Sequence, residues 1–439
     1  MTARRAALAV LERCRKDGAW VSAAADAIIR KGELSRRDAA LAEALALGVL
    51  QNDAYFDFLI ACFCSTKPEK LEKKVLDILR LGVCQLVLLD RIPVHAAVNE
   101  TVALCSECGL GRAKALVNAV LHRIADARGD LPEVPNRGEV SYLTTRYSQS
   151  PWLAEKLTEE KGYAFTEALF DAFNRLAALD IQINTLSTTL KDYTRQLEER
   201  GISFEIPSFP ANCVRIPGGA VEALPGYDEG LFYVQDRAAR MAVELAGLKC
   251  GMRVLDACAS PGGKSFAAAL AMHGEGEILA CDIHAKKLPL IESGAKRLGL
   301  ELIRTECRDA RKFVPDCEKA FDAVLADVPC SGFGVMGKKP EIRRKRPEEI
   351  AALGAIQRDI LETLCRYVRP GGVLLYSTCT ILREENEDLV RSFLAAHGEF
   401  APCDFCVEDR SSQNGCYTFY PHIDGTDGFF VSKMTRKAE

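Results

Sequence analysis

The fold of this 439-residue chain is indicated most clearly by one stretch, Val254-Leu-Asp-Ala-Cys-Ala-Ser-Pro-Gly-Gly-Lys-Ser265. Its apolar start is typical of a buried strand, and its glycines are typical of a turn that leads into a helix. Such a turn brings backbone close to a ligand, and the helix N-terminus offers free N–H groups. A nucleoside-triphosphate loop would need glycine where Cys258 stands. The stretch therefore predicts a ligand-binding turn of another kind.

Strand and helix patterns alternate on both sides of this turn, from about residue 236 to the C-terminus. We predict strands at 253–256, 277–282, 302–306, 323–327 and 372–377, with helices between them. This spacing favours a parallel, doubly wound sheet, and the ligands of such sheets bind at the carboxyl ends of the strands. The sequence therefore predicts an α/β, Rossmann-like domain over 236–439.

The chain before residue 236 predicts two further parts. Residues 1–130 show helical periodicity only, most clearly over 70–89, and predict an all-α domain. Residues 131–150 are rich in proline, glycine and polar side chains, which is typical of a linker. Residues 151–235 mix helical periodicity with strand-like alternation and predict a small α+β module.

Composition limits the classes of function. Hydrophobic residues make up 48% of the chain and charged residues 27%, as in soluble globular proteins. Apolar runs are too short for a membrane span and the N-terminus lacks a signal-peptide pattern, so we expect a cytoplasmic protein without a membrane partner. Because the net charge is −4, any binding of nucleic acid must depend on local basic patches.

The chain has 18 cysteines, which we expect to be thiols rather than disulfides because no secretory signal is present. Two Cys-x-x-Cys pairs occur, Cys105/Cys108 and Cys403/Cys406. The pairs are too far apart in the chain for a zinc ribbon. We therefore predict no metal site.

Polar and thiol side chains stand at the predicted strand ends. Asp282 ends the second strand, where a carboxylate can accept the hydroxyls of a ribose, whereas Asp309 after the third strand is explained nearly as well by helix capping. Two thiols follow the fourth and fifth strands, in the blocks Asp327-Val-Pro-Cys-Ser-Gly332 and Ser377-Thr-Cys379. Neighbouring parallel strands would bring both thiols and Asp327 into one cleft.

Methylation of cytosine at carbon 5 is a reaction that can use such a pair of thiols. A thiolate that adds at carbon 6, helped by an acid at ring nitrogen 3, converts carbon 5 into a nucleophile toward a methyl sulfonium. A second thiol can then act as a base or assist release, and Asp327 can be the acid. This chemistry does not by itself decide which of Cys330 and Cys379 is the nucleophile.

These motifs resemble the Sun (RsmB-like) class of bacterial rRNA cytosine-C5 methyltransferases over nearly the whole chain. The resemblance rests on the glycine turn, the two cysteine blocks, Glu384-Glu-Asn386 and Asp427-Gly-Phe-Phe430. The helical domain, with Val117-Asn-Ala-Val-Leu121, is similar to the RNA-binding NusB fold. The resemblance implies three parts: a NusB-like all-α N-terminal domain, a small α+β module and a methyltransferase domain that uses S-adenosyl-L-methionine (SAM).

The resemblance also implies roles for individual residues. Cys379 would be the nucleophile, Cys330 the base or release group, and Asp327 the acid at ring nitrogen 3. SAM would contact Cys258, Ala259, Ser260, Pro261, Gly262, Gly263, Lys264, Asp282, Asp309 and Asp327. The expected substrate is small-subunit (16S) rRNA, unassembled or partly assembled, with neither DNA nor an obligate protein partner. A tRNA methyltransferase, or an inactive RNA-binding factor for ribosome assembly or antitermination, stays open as an alternative.

A basic segment follows the first cysteine block, Gly337-Lys-Lys-Pro-Glu-Ile-Arg-Arg-Lys-Arg346. Most charge runs are solvated loops. This run leaves the catalytic cleft, however, and its prolines favour extended backbone, which suits a single-stranded RNA loop. We therefore predict RNA contacts from Lys338, Lys339, Arg343, Arg344 and Arg346.

Overall fold

The computed structural model describes residues 1–175, 178–218 and 220–438. The chain forms two compact units. The first comprises Met1–Arg175 and Met336–Lys345, and the second comprises Leu176–Val335 and Arg346–Glu439. This division differs from the predicted boundaries in two places, since the helices after residue 150 and part of the basic segment belong to the first unit.

The first unit consists of α-helices in its described residues. They are α1 (Ala3–Asp17), α2 (Val21–Gly32), α3 (Arg36–Gln51), α4 (Asp53–Phe63), α5 (Lys73–Leu88), α6 (Val94–Glu107), α7 (Lys114–Asp126), α8 (Val140–Arg146), α9 (Pro151–Lys161) and α10 (Tyr163–Asn174).

The core of this unit comes from helix faces that the sequence periodicity indicates. Helix α5 confirms the helix expected over 70–89 and buries Ile78, Leu79 and Leu86. Helix α1 begins after Thr2, whose side chain accepts the Arg5 N–H, and it ends at a left-handed glycine. The apolar sides of α1 and α3–α7 meet in one hydrophobic cluster.

Helices α8–α10 join the first unit because their apolar residues are buried there. Helix α8 packs on α4 and α9. Leu153 and Leu157 of α9 are buried, and the ring of Phe170 lies 6.5 Å from that of Tyr147. Residues 131–150, expected as a linker, therefore contain a packed helix, and α9 and α10 lie in the same compact unit.

In the described part of the chain, no single helix is long and apolar enough to cross a membrane. One bent pair, α3 with α4, passes that test by length and composition. Both helices contribute fully buried residues, such as Leu45 and Phe56, to the helical core.

The second unit contains a small sheet and a large one. The small sheet consists of β1 (Leu179–Ile183), β2 (Cys213–Ile216) and β3 (Phe232–Val234), in antiparallel order β2-β1-β3, with α11 (Leu190–Glu199) against it. Asn184 attaches this module to the rest of the unit, because its Nδ2 donates to Gly230 O and Leu298 O at 2.9 Å.

The large sheet follows α12 (Arg237–Leu245) and contains the predicted parallel strands. These are β4 (Arg253–Asp256), β5 (Glu277–Asp282), β6 (Ile303–Cys307), β7 (Phe321–Asp327) and β8 (Val368–Thr378). Their order is β8-β7-β4-β5-β6, and every neighbouring pair is parallel. The intervening helices are α13 (Gly263–Ala271), α14 (Leu288–Leu298) and α15 (Pro347–Leu364). The predicted Rossmann-like fold is confirmed.

The C-terminal strands make this sheet mixed, which the sequence analysis did not predict. After α16 (Glu387–Ala396) come β9 (Phe400–Pro402), a short hairpin of β10 (Cys406–Val407) and β11 (Arg410–Ser411), β12 (Cys416–Phe419), α17 (Pro421–Asp424) and β13 (Phe429–Arg436). Strand β13 lies antiparallel between β8 and β12. It therefore covers the edge of β8 that the parallel strands leave unpaired.

The order in which strands are added to the sheet reverses at β4, because β5 and β6 lie on one side of it and β7 and β8 on the other. A crevice forms at such a switch point beyond the carboxyl ends of the strands. The glycine turn leaves β4 at this point, and Asp327 ends the neighbouring strand β7.

Candidate active site

A cleft of about 400 Å³ opens at the carboxyl ends of the parallel strands. Its lining combines apolar residues, such as Ile283 and Ile356, with polar and thiol side chains from five strand ends. Among the residues predicted for the site, it includes Cys258, Ser260, Asp282, Asp309, Asp327, Cys330 and Cys379. The fold therefore brings together residues that lie more than a hundred positions apart in the sequence.

The two thiols of the cysteine blocks lie side by side. Asp327 pairs with Ser377 in the register of the parallel strands β7 and β8, so the segments that follow leave the sheet together. The Sγ atoms of Cys330 and Cys379 are 3.1 Å apart. The pKa of the Cys330 thiol is raised well above its usual range by its hydrogen bond with Cys379 and by burial. Cys330 is therefore a protonated thiol, able to donate to the Cys379 sulfur.

Asp327 is held by two donors. Lys264 Nζ lies 2.6 Å from Asp327 Oδ2, and the Ser377 hydroxyl donates to Oδ1 at 2.8 Å. Burial alone would lower the pKa of Lys264, but the Asp327 carboxylate, together with Asp256 and Cys379, raises that pKa overall. The ammonium also lies 5.1 Å from the ring centre of Phe429. Lys264, which we assigned to cofactor binding from the sequence, thus points its charge at the predicted acid.

A buried carboxylate, that of Glu385, joins the loops that carry the two thiols. Its Oε2 accepts the Ser331 N–H at 2.9 Å and the Gln357 amide at 2.8 Å, while Oε1 accepts the Ser331 hydroxyl. The Ser331 hydroxyl also lies 2.8 Å from that of Thr380, which follows the second thiol. Glu385 is 1% exposed. The residues that follow the two cysteines, Ser331 and Thr380, are therefore bonded into one network.

Asn386 completes this network on the side of Cys379. Its Oδ1 accepts the Thr378 hydroxyl at 2.6 Å, and its Nδ2 donates to Thr380 O at 3.0 Å. Sequence reasoning used Glu384-Glu-Asn386 only as a matching motif and assigned no role to it. Its position a few residues after the Ser-Thr-Cys block is the signal that points to the role.

Close backbone approach fixes the chain after each thiol. The Gly334 N–H donates to Cys379 O at 2.9 Å, and the Gly428 N–H donates to Gly334 O at 2.8 Å. A Cβ at Gly334 would lie 1.8 Å from Gly428 O, so only glycine fits. This contact explains the glycine of the terminal Asp-Gly-Phe-Phe motif.

The glycine turn is anchored from beneath by Asp256, whose Oδ2 accepts the Ser265 hydroxyl at 2.7 Å. Burial raises the pKa of Asp256 to about 6. Gly262 has φ of 114°, a conformation suited to glycine. Within the turn, Cys258 and Ser260 line the cleft. The other turn residues predicted to contact the cofactor, Ala259, Pro261, Gly262 and Gly263, shape the loop behind them.

The two carboxylates after β5 and β6 differ in their partners. Asp282 is 7% exposed, and its Oδ1 accepts the His284 N–H at 2.8 Å. Asp309 pairs with the guanidinium of Arg311 through both oxygens, at 2.9 and 2.8 Å, and this pairing lowers the Asp309 pKa. Asp282 thus keeps an oxygen without a partner among the described residues, whereas both Asp309 oxygens are occupied.

Comparisons with known proteins agree with this architecture. Family models match three consecutive parts of the chain: the NusB family at residues 1–126, the ferredoxin-like domain of RsmF/B-like methyltransferases at 149–221, and the 16S rRNA methyltransferase RsmB/F at 245–435. The probable ribosomal RNA small subunit methyltransferase B of Bacillus subtilis is 32% identical over 98% of both chains. The chain belongs to this methyltransferase B family.

Further relatives extend the agreement to structure. The ribosomal RNA small subunit methyltransferase B of Erwinia tasmaniensis is 31% identical over 91% of both chains. The crystal structure of the protein PH0851 superimposes with a TM-score of 0.80 at 26% identity, covering 98% of both chains. The sequence-based assignment to an RsmB-like methyltransferase with a NusB-like domain is therefore confirmed.

The basic segment of this methyltransferase is not extended as we predicted. Pro340–Arg344 forms a 3-10 helix and Pro347 opens α15. Arg343 is 3% exposed, and its guanidinium donates to Gln51 O, Tyr147 O and Asn174 Oδ1 within the first unit. The prediction that Arg343 contacts RNA is therefore corrected, because its donors are used to hold this segment to α3, α8 and α10.

We expect Arg343→Gln to lower the free energy of unfolding by about 2–3 kcal/mol, because buried acceptors lose a charged donor. Urea denaturation measures this change. Arg346→Gln is the matched control, since that side chain is 79% exposed, and its effect should stay within about 0.5 kcal/mol. Equal stability of the two variants would refute the structural role of Arg343.

The remaining basic side chains of the segment are at the surface. Lys338, Lys339, Arg344 and Arg346 are exposed. Arg344 pairs with Asp53 at 2.9 Å, and Lys339 lies 5.5 Å from the ring centre of Trp20. No group of three or more His, Cys, Asp or Glu side chains suited to a metal occurs within the described ranges.

Proposed function

We propose that this methyltransferase transfers a methyl group from SAM to carbon 5 of a cytosine in small-subunit rRNA, through a covalent bond between Cys379 and carbon 6. One observation carries this proposal: two thiols 3.1 Å apart at neighbouring strand ends, beside a carboxylate paired with lysine. The names of the relatives favour small-subunit rRNA over tRNA, and the complete catalytic set argues against an inactive assembly factor. Such a substrate places the protein in the cytoplasm.

The residues of the cleft fit SAM. Asp282 can accept ribose hydroxyls through its free oxygen, and Cys258 and Ser260 present the turn beside it. Ile283, which is 49% exposed, offers apolar surface for a base. Asp309 would contribute less, because Arg311 already occupies both of its oxygens. When bound there, SAM supplies an electrophilic methyl group.

We expect Asp282→Asn to weaken SAM binding by roughly tenfold, since the variant loses charge-assisted hydrogen bonds. Asp309→Asn is the matched control, and its effect should be clearly smaller. Isothermal titration with SAM measures both variants without any need for turnover. Equal losses for the two variants would contradict the assignment of Asp282 as the ribose ligand.

In the addition step, the Cys379 sulfur attacks carbon 6 as a thiolate. The raised pKa of Cys330 favours this assignment, because a protonated Cys330 donates its hydrogen bond to an anionic Cys379 sulfur. The Lys264 charge also interacts with Cys379. As negative charge moves onto the ring, the Lys264 ammonium at 2.6 Å gives a proton through the Asp327 carboxylate to nitrogen 3, and Lys264 is left neutral.

Release requires loss of the carbon 5 proton and cleavage of the bond from carbon 6 to sulfur. Cys330 lies within reach of the bond that breaks, since its sulfur is 3.1 Å from that of Cys379. The Cys330 S–H can give its proton to the departing Cys379 sulfur, and the Cys330 thiolate left by that transfer can accept the proton from carbon 5. The structure therefore supports the release role for Cys330 more directly than a role as an independent base.

RNA binding would use the exposed part of the basic segment. We propose that Lys338, Lys339, Arg344 and Arg346 neutralise phosphates of the RNA substrate. Arg343 is excluded from this set by its burial. The NusB-like domain, which is an RNA-binding fold in the resemblance described above, would position the same substrate.

The function is tested with purified protein, isotopically labelled SAM and unmodified small-subunit rRNA made by transcription. Nuclease mapping with mass spectrometry should find one labelled 5-methylcytosine. A matched reaction uses a pool of unmodified tRNA transcripts. Label in tRNA alone, or in neither RNA, would overturn the proposed substrate.

A further inference from the structure

A second cleft, of about 230 Å³, lies in the first unit and shares no lining residue with the catalytic cleft. It is lined by Tyr55 of α4, by Pro132 and Arg137 of the connection between α7 and α8, and by Tyr142 and Arg146 of α8. We call it the Tyr–Arg cleft. Most of its accessible lining is polar, and its tyrosine rings are partly exposed. It is therefore not an apolar groove that a packing helix would cover.

Arg146 provides the cation of this cleft. Its guanidinium lies 4.8 Å from the ring centre of Tyr55 and 5.3 Å from that of Tyr147. Among the described residues, no carboxylate pairs with Arg146, in contrast to Arg137, whose Nε lies 3.1 Å from Glu167. The cleft thus presents one guanidinium whose charge is not compensated by a direct partner.

The positions of these side chains are fixed by other contacts. The Ser148 hydroxyl accepts the N–H groups of Ala54 and Tyr55 at 3.1 and 3.3 Å, which ties the start of α4 to the end of α8. The rings of Tyr142 and Tyr147 meet edge to face at 6.3 Å. Binding a ligand would therefore require little ordering of Tyr55, Tyr142 or Arg146.

Two guanidinium groups, those of Arg137 and Arg146, and one carboxylate, that of the exposed Glu133, line the cleft. Glu167, outside the lining, pairs with Arg137. Arg146 is therefore the guanidinium available to a ligand, which suits one phosphate rather than a phosphate cluster. Planar rings beside a single guanidinium are the combination that single-stranded RNA uses, because bases stack on aromatic rings while arginine contacts the backbone.

We propose that the Tyr–Arg cleft binds a single-stranded segment of the RNA substrate, with a base against the tyrosine rings and its phosphate at Arg146. This inference rests on the proposed function, since it takes RNA as the substrate. It assigns an RNA contact to the connection between the NusB-like helices and α8. A local contact of this kind is needed in a protein whose net charge is −4.

The test measures binding of the full-length protein to a short fluorescein-labelled oligouridylate and to small-subunit rRNA over a range of salt concentrations. Arg146→Gln should weaken oligouridylate binding roughly fivefold or more and lower the slope of log affinity against log salt by about 0.7. Tyr142→Leu should weaken binding by a similar factor with the slope unchanged, because it removes a stacking surface and no charge.

The matched control is Arg175→Gln, which removes an exposed arginine of the same unit that already pairs with Asp171 at 2.6 Å. Its RNA affinity should equal that of the wild type. Thermal unfolding and SAM affinity are measured for every variant. If Arg146→Gln lowers stability, Tyr142→Leu decides the outcome. Wild-type RNA affinity in a stable variant would contradict RNA binding at the Tyr–Arg cleft. Weaker binding of Arg146→Gln with no change of the salt slope would contradict it as well.

The result separates this inference from the proposed function. If the wild type methylates rRNA and Arg146→Gln binds RNA with wild-type affinity, RNA binding at the Tyr–Arg cleft is refuted and the proposed function is retained. If the wild type binds oligouridylate through Arg146 but methylates no rRNA, RNA binding at the Tyr–Arg cleft is supported and the proposed function is refuted.

Discussion

Replacement of Cys330 by alanine is expected to stop turnover and leave the protein covalently attached to its RNA. Addition of the Cys379 sulfur to carbon 6 does not require Cys330, whereas cleavage of that bond does. Replacement of Cys379 by alanine should also stop turnover, but with no adduct. A denaturing gel with labelled RNA distinguishes the two variants, since only a covalent complex migrates slowly.

The control for these thiols is Cys258→Ala, a third cysteine of the same cleft. Burial raises the pKa of the Cys258 thiol, so it should not act as a nucleophile. This variant should form product and accumulate no adduct. Adduct with the Cys379 variant and none with the Cys330 variant would exchange the two roles.

Replacement of Glu385 by alanine should slow adduct formation by about 100-fold, because misplacement of reacting groups by about 1 Å has effects of that size. The carboxylate bonds the loop of Cys330 to Gln357 and, through Ser331, to Thr380 beside Cys379. SAM affinity should be unchanged, since Glu385 does not line the cleft. Single-turnover kinetics with labelled RNA measure the rate.

A purely structural role for Glu385 predicts different results. Glu384→Gln is the matched control, because the Glu384 side chain, next to Glu385 in the sequence, is exposed. This variant should retain the wild-type rate. Glu385 is also one of the charges that raise the Cys330 pKa. Glu385→Gln should therefore shift alkylation of Cys330 by iodoacetamide to lower pH. Parallel losses of stability, SAM affinity and rate, without that shift, would contradict a positioning role.

Local patterns were enough to predict the parallel sheet. The strands expected at 253–256 and 277–282 coincide with β4 and β5, because a short apolar run between turn residues is a signal contained within each strand. The antiparallel strand β13 was not predicted. Its partner is β8, with Phe430 opposite Thr378, and pairing between segments so distant in sequence leaves no local pattern.

The burial of Arg343 shows where sequence reasoning failed. A run of basic residues is usually solvated, and nothing within the run distinguishes one arginine from its neighbours. The distinction comes from Gln51, Tyr147 and Asn174, which offer three oxygens to one guanidinium. These acceptors belong to separate helices, so only the packed unit assembles them. Burial then lowers the Arg343 pKa to about 10.

The sequence by itself determined the type of sheet, the ligand turn after β4 and the presence of a thiol after each of two strands. These features depend on residue types at short spacing, where strand, turn and helix preferences act. Only the tertiary structure decided that the two sulfurs lie 3.1 Å apart and that Lys264 faces Asp327. It also decided that Glu385 bonds to Ser331 after Cys330 and, through Ser331, reaches Thr380 after Cys379. Those distances depend on strand register and loop packing, which arise only when distant segments bury their surfaces against one another.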